Sequence, residues 1–141
     1  MTSTATGART VPFSRAQVHA LLLDALRLPE WNPAFLAIAG SRTPTVGEDY
    51  DLRTLPNLRG TFRYTEITAD RVRMEWTVPG MREHCEWVLR DTGTGTRVDH
   101  AVTRSGPLAA VLRHSLADLP GLRLDRLAET LPSAAAATIG A

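Results

Sequence analysis

With 141 residues, the chain has material for one compact domain with one core. Its composition, 43% hydrophobic and 22% charged, excludes disordered and fibrous classes, and a formal charge of +1 leaves no long-range field to gather nucleic acid or an anionic membrane. All sixteen basic residues are arginine, which excludes lysine chemistry such as a Schiff base or a P-loop lysine. The single cysteine, Cys85, can form no internal disulfide and fits a reducing compartment. Residues 1–9 lack an apolar stretch of signal-peptide length, and nowhere do apolar residues run long enough to span a membrane. A cytoplasmic location, no membrane insertion and no nucleic-acid partner are therefore expected, as a monomer or homodimer.

Residues 1–8 read as a flexible lead-in, followed by a first strand over 9–13. Ser14 and Gln17 then form the pattern of a capping box, and Val18, Leu21, Leu22, Ala25 and Leu26 recur at the spacing of one buried helical face. The helix is expected to end near Leu28. Pro29 suits the start of a second short helix, while Pro33 biases Asn32 away from helical geometry. Leu28-Pro29-Glu30-Trp31-Asn32-Pro33 is thus an elbow presenting Trp31.

From Phe35 to Ser105 the hydrophobic period changes to 2, most clearly in Val72-Arg73-Met74-Glu75-Trp76-Thr77-Val78. Turn chemistry at Thr45-Val46-Gly47, Pro56-Asn57, Thr68-Ala69-Asp70, Pro79-Gly80 and Asp91–Gly95 divides this stretch into an antiparallel meander. After Gly106-Pro107, the residues Leu108, Val111, Leu112, Leu116 and Leu119 mark an amphipathic helix, with Leu124, Leu127 and Leu131 continuing it on a displaced stripe. A kink at Pro120 would realign the stripes, and residues 132–141 read as a flexible tail. The expected fold is α+β: a curled antiparallel sheet of about seven strands, two short helices after the first strand, and a long C-terminal helix covering the apolar face. Such a grip encloses a cavity where the helix fails to fill it.

The chain resembles the START-like, or SRPBCC, superfamily, whose helix-grip fold is shared by the birch pollen allergens and by bacterial polyketide cyclase/dehydrase and lipid-transport proteins. The resemblance rests on Val11–Val18, the Leu28–Pro33 elbow, Glu86-Trp87 before the Gly93–Gly95 turn, Gly95–His100, and Gly106-Pro107-Leu108, and covers residues 9–131 as one domain. It implies a ligand-binding cavity and, from the cyclases, cofactor-free acid/base chemistry on a polyketide-like molecule. It supplies no catalytic residue common to the superfamily.

Strand parity supplies the candidate residues. The inward set comprises Tyr50, Leu52, Phe62, Tyr64, Glu66, Val72, Met74, Trp76, Val78, Glu83, Cys85, Trp87, Leu89, Val98, His100, Val102 and Arg104; Asp51, Arg63, Arg73, Glu75, Arg82 and Arg97 form a solvated outer face. His100, flanked by inward valines, is the leading acid/base candidate because imidazole titrates near neutrality. Tyr64, Tyr50 and Arg104 are the candidates for polarising a carbonyl. Trp31, Phe62, Met74, Trp76 and Trp87 are expected as cavity walls, with Cys85 also inward and Glu66 and Glu83 at the mouth or in an internal ion pair.

His84 and Glu86 point away from Cys85 by parity, so a thiol dyad is not supported. The four histidines lack zinc-site spacing, so no metal is expected, and no glycine-rich nucleotide loop occurs. Three functions compete: a polyketide cyclase-like enzyme, a carrier or sensor of an apolar metabolite, and a protein-interaction module.

Overall fold

The structure is a computed structural model that describes residues 2–54 and 57–140. The strands are β1 (Thr2–Val11), β2 (Phe35–Ala39), β3 (Tyr50–Thr54), β4 (Leu58–Ile67), β5 (Arg71–Val78), β6 (Met81–Asp91) and β7 (Thr96–Ser105). Helices α1 (Arg15–Leu22) and α2 (Leu28–Trp31) follow β1, separated by a 3₁₀ turn at Ala25–Arg27. After β7 come α3 (Pro107–Val111), α4 (Arg113–Leu116) and α5 (Leu119–Gly140). The strands form one curled antiparallel sheet in the order β1-β7-β6-β5-β4-β3-β2. From β2 to β7 successive strands are neighbours, and β1 lies at the far edge beside β7. Val78 pairs with Met81 across Pro79-Gly80, where the glycine takes a φ of 87° that other residues rarely adopt.

β1 begins seven residues earlier than the first strand the sequence suggests. It pairs with β7 from Thr2↔Ser105 to Val11↔Thr96, so the segment read as a lead-in is an edge strand. Its alternation of small and polar residues escapes a hydrophobic-pattern reading because only one of its ten residues, Val11, is buried. The expected turn at Pro56-Asn57, like Met1 and Ala141, lies wholly or partly outside the described residues.

The capping box is present: Gln17 N donates to Ser14 Oγ (3.1 Å) and Ser14 N to Gln17 Oε1 (2.9 Å). α1 stops at Leu22, short of the expected Leu28, because Asp24 leaves helical geometry at φ −82°, ψ 77°. Leu26 consequently falls off the buried stripe and is 41% exposed, while Ala25 and Leu28 are buried. Asn32 adopts the extended geometry that Pro33 favours, at φ −94°, ψ 106°.

The C-terminal helix is also divided differently from the expectation. Breaks fall at Leu112 and at residues 117–118, and Pro120 lies in the first turn of α5, where its missing N–H removes no intrahelical bond. Proline here starts a helix and does not kink one. Val111, expected in the buried stripe, is exposed, and between Pro107 and Leu116 only Ala109 is buried. The helix continues through Pro132 into the segment read as a tail. α5 packs on β1, β7, α1 and α2, burying Leu124, Leu127 and Leu131 against the concave face of the sheet.

Candidate functional site

Parity places the inner face correctly on β3, β5, β6 and β7, and β4 departs from it at one point. Tyr64 pairs with Met74, but Glu66 pairs with Arg73 and Ile67 with Val72, so Thr65 is an extra residue in a bulge. The bulge turns Glu66 outward. It joins Arg73 at 3.2 Å on the solvent face, where Arg73 also meets Glu86 at 2.8 Å, and it takes no part in the interior.

Inside the grip, polar side chains from four elements converge. Glu83 of β6 has no solvent exposure; its Oε2 accepts from Trp76 Nε1 (2.7 Å) and its Oε1 from Arg104 Nε of β7 (2.9 Å). The third partner is Arg123 of α5, fully buried, which sets Nη1 at 3.0 Å from Glu83 Oε2 and Nη2 at 3.2 Å from Oε1. This fork-on-fork pairing suits the planar guanidinium. Arg123 also donates from Nε to Asn32 Oδ1 (3.2 Å) and from Nη1 to His100 Nε2 (3.3 Å). Burial alone would push the Glu83 carboxyl up. The charges of Arg123 and Arg104, with hydrogen bonds from Arg123 and Trp76, outweigh it and hold the group below its ordinary value of 4.5.

His100 is held between these groups. Its Nδ1 donates to the Glu86 carbonyl (3.1 Å), its Nε2 accepts from Arg123, and its ring stacks on Trp87 with centroids 3.6 Å apart. Burial, reinforced by the charge of Arg123, holds it well below its ordinary 6.5. The sequence-based expectation of a group titrating near neutrality is therefore corrected: His100 is inward, as parity requires, but stays neutral with both nitrogens engaged.

The tyrosines are likewise occupied. Tyr64 Oη donates to the Leu22 carbonyl (2.6 Å) and Tyr50 Oη to the Ser41 carbonyl (2.6 Å), and burial raises both phenols above their ordinary range. Each hydroxyl ties the sheet to a neighbouring segment and has no proton left to offer a ligand carbonyl. Cys85 is buried, and its thiol is pushed up to about 12, chiefly by burial and then by Glu83. It is a core residue.

The expected walls close on each other. Trp31 packs edge-on against Trp87 (5.4 Å), Phe35 against Phe62 and Trp76 (5.7 and 5.5 Å), and Phe62 against Tyr64 (5.1 Å). Trp31, Phe62, Met74, Trp76 and Trp87 are at most 3% exposed. Open space lies elsewhere: a cleft of about 770 Å³ runs between α1, residues 42–44, Ile67 and the C-terminal half of α5, with Ala16, Ala20, Leu21, Ala134 and Ala135 among its apolar walls and Asp24, Arg27 and Arg42 at its rim. No group of three or more histidine, cysteine or acidic side chains suited to a metal occurs among the described residues.

Two members of the cluster, Arg123 and Asn32, were not among the sequence candidates. Arg123 did carry a signal, since it stands four and eight residues before Leu127 and Leu131 and so shares their buried stripe. Its charge argues for solvent until Glu83 is known to lie opposite.

Several solved structures share this architecture. Protein MLL2253 from Mesorhizobium loti superposes with a TM-score of 0.74 at 14% identity, over 93% of this chain and 98% of that one. Protein CV1439 from Chromobacterium violaceum gives 0.67 at 20% identity, over 90% and 96%. Norcoclaurine synthase from Thalictrum flavum, solved in complex with dopamine and hydroxybenzaldehyde, gives 0.68 at 12% identity, over 94% and 88%. At these identities the likeness is one of fold. No curated protein matches the chain. Residues 2–132 match the family described as polyketide cyclase / dehydrase and lipid transport, and with a match over nearly the whole grip, the chain belongs to that family.

Proposed function

We propose that this protein binds a small apolar, polyketide-like molecule in the cleft between α1 and the C-terminal half of α5, and promotes its cyclisation or dehydration by polarising a carbonyl once α5 parts from the concave face of the sheet. The observation that carries this reading is the convergence of Arg104 and Arg123 with His100 around Glu83, on an inner face whose large residues are otherwise aromatic or aliphatic. The cleft has the volume of a small-ligand site, and because Glu83, His100, Arg104 and Arg123 do not line it, the ligand meets them only when α5 moves from the sheet. In the reaction, a guanidinium stabilises the oxyanion as the carbon beside the carbonyl gives up its proton. Neutral His100 Nε2 takes that proton once Arg123 turns from it to the ligand oxygen. The enolate carbon then bonds to a second carbonyl carbon and the imidazolium returns the proton to the new alkoxide; in dehydration His100 removes a further proton from the carbon between the new alcohol and the carbonyl, the hydroxyl departs, and the imidazolium protonates it to water. Tyr50 and Tyr64 have structural roles.

A second reading, a carrier that stores an apolar metabolite unchanged, is favoured by one observation: His100 Nε2 and both tyrosine hydroxyls already have protein partners. Native mass spectrometry of protein purified from its source organism tests binding, with a retained small molecule expected. A tri-β-keto thioester supplied to the protein then tests chemistry. Cyclised product, falling roughly 10²-fold or more in His100→Gln with folding intact, is the expected result. Retention without conversion would support the carrier.

A further inference from the structure

The buried cluster is unbalanced in charge. Arg104 and Arg123 both face the single carboxylate of Glu83, and His100 is neutral, so two positive charges against one negative leave one positive charge uncompensated. Burying an unpaired charge is costly, and this one lies where Glu83 and Arg123 have no exposure and Arg104 has 3%. Its neighbours do not cancel it: Asn32 and Trp76 are uncharged, and Cys85 holds its proton. A second observation points the same way. Arg104 Nη2 is buried without a hydrogen-bond partner among the described residues, as is Trp31 Nε1, and both atoms are donors only. The site lacks an acceptor that carries negative charge.

The segment over Arg104 is lightly held. Arg104 Nη1 donates to the Leu116 carbonyl of α4 at 3.3 Å, and across α3 and α4 only Ala109 is buried. The segment is bounded by Gly106, at φ 104°, and by the break before α5. Lifting it parts Leu108, Ala109 and Leu116 from the core and uncovers the guanidinium.

We propose that Arg104, beneath the α3–α4 segment, is the docking point for the carboxylate of an apolar acid, whose hydrocarbon body lies against the apolar surface that the segment covers. This rests on the small-molecule reading above and adds to it the charge class of the ligand. A carboxylate would accept from Arg104 Nη2 and neutralise the residual charge, whereas an alcohol or ester of the same length would not.

The test is calorimetric titration of the full chain with decanoate, methyl decanoate and decan-1-ol at pH 7.5. Decanoate is expected to bind at least tenfold more tightly than the ester or the alcohol, with backbone amide NMR shifts over Leu108–Leu116. Arg104→Gln should reduce the preference to threefold or less. Equal affinity for acid and ester, or a preference unchanged in a folded Arg104→Gln, overturns the carboxylate site and leaves apolar binding standing. No binding of any of the three overturns both. Should Arg104→Gln fail to fold, the acid–ester comparison on the unaltered protein decides the matter.

Discussion

Nη1 of Arg123, on α5, donates to Nε2 of His100, on β7, across 3.3 Å, and so fixes both the helix over the sheet and the imidazole in its Nδ1–H tautomer. The bond makes the covering helix part of the interior chemistry. Any change that moves α5 also changes the basicity of His100.

Removing the carboxylate of the cluster should therefore cost more than removing one of its cations. Glu83→Gln leaves two guanidiniums facing each other in the core, with an expected loss of about 3–5 kcal/mol. Arg123→Met leaves the neutral Arg104–Glu83 pair in place, with a smaller expected loss of about 1–3 kcal/mol. Urea unfolding of both variants measures the order, and a costlier Arg123→Met would contradict the charge balance argued from these contacts.

Stability should form a plateau between roughly pH 6.5 and 9. His100 is lowered from 6.5 in the folded state, so below that value the unfolded chain binds the extra proton and stability declines toward the depressed folded value. Glu83, lowered from 4.5, adds a second decline below that pH. Cys85 is raised from 9.0 to about 12 and Tyr64 is raised from 10.0, so above 9 the unfolded chain loses protons that the folded chain keeps, and stability declines again. Thermal melting across pH 4 to 11 follows these limbs. In His100→Gln the decline that begins near 6.5 should be absent.

The two tyrosine hydroxyls should separate by burial. Tyr64→Phe strands the Leu22 carbonyl in the core, with an expected loss of about 1–3 kcal/mol. Tyr50→Phe frees a partly buried Ser41 carbonyl, with an expected loss of about 1 kcal/mol or less. Chemical denaturation of the pair checks this, and a larger loss in Tyr50→Phe would reverse the assignment.

Much of the fold was legible because its signals are local. The Ser14–Gln17 cap, the Pro33 effect on Asn32, the Pro79-Gly80 turn and the inward alternation of β5, β6 and β7 each depend on residues close together in the chain. The family was legible for the same reason, since its motifs are turns and elbows. β1 was hidden where its lead-in is small and polar: an edge strand that buries little needs no hydrophobic alternation.

What only the tertiary structure decided are the points where distant segments meet. The extra residue Thr65, which turns Glu66 outward, is a property of the β4–β5 pairing and has no mark of its own in a period-2 pattern. The break ahead of Pro120 depends on α5 finding its seat against β1, β7 and α2, which fixes where the buried stripe begins. Arg123 shows the limit most plainly. Its partners His100, Glu83 and Asn32 lie 23, 40 and 91 residues away in the chain. An arginine is soluble or buried according to whether a carboxylate awaits it. That depends on which residues the sheet and the helix bring face to face, because the cost of desolvating a guanidinium is offset only at the spot where its partners already stand.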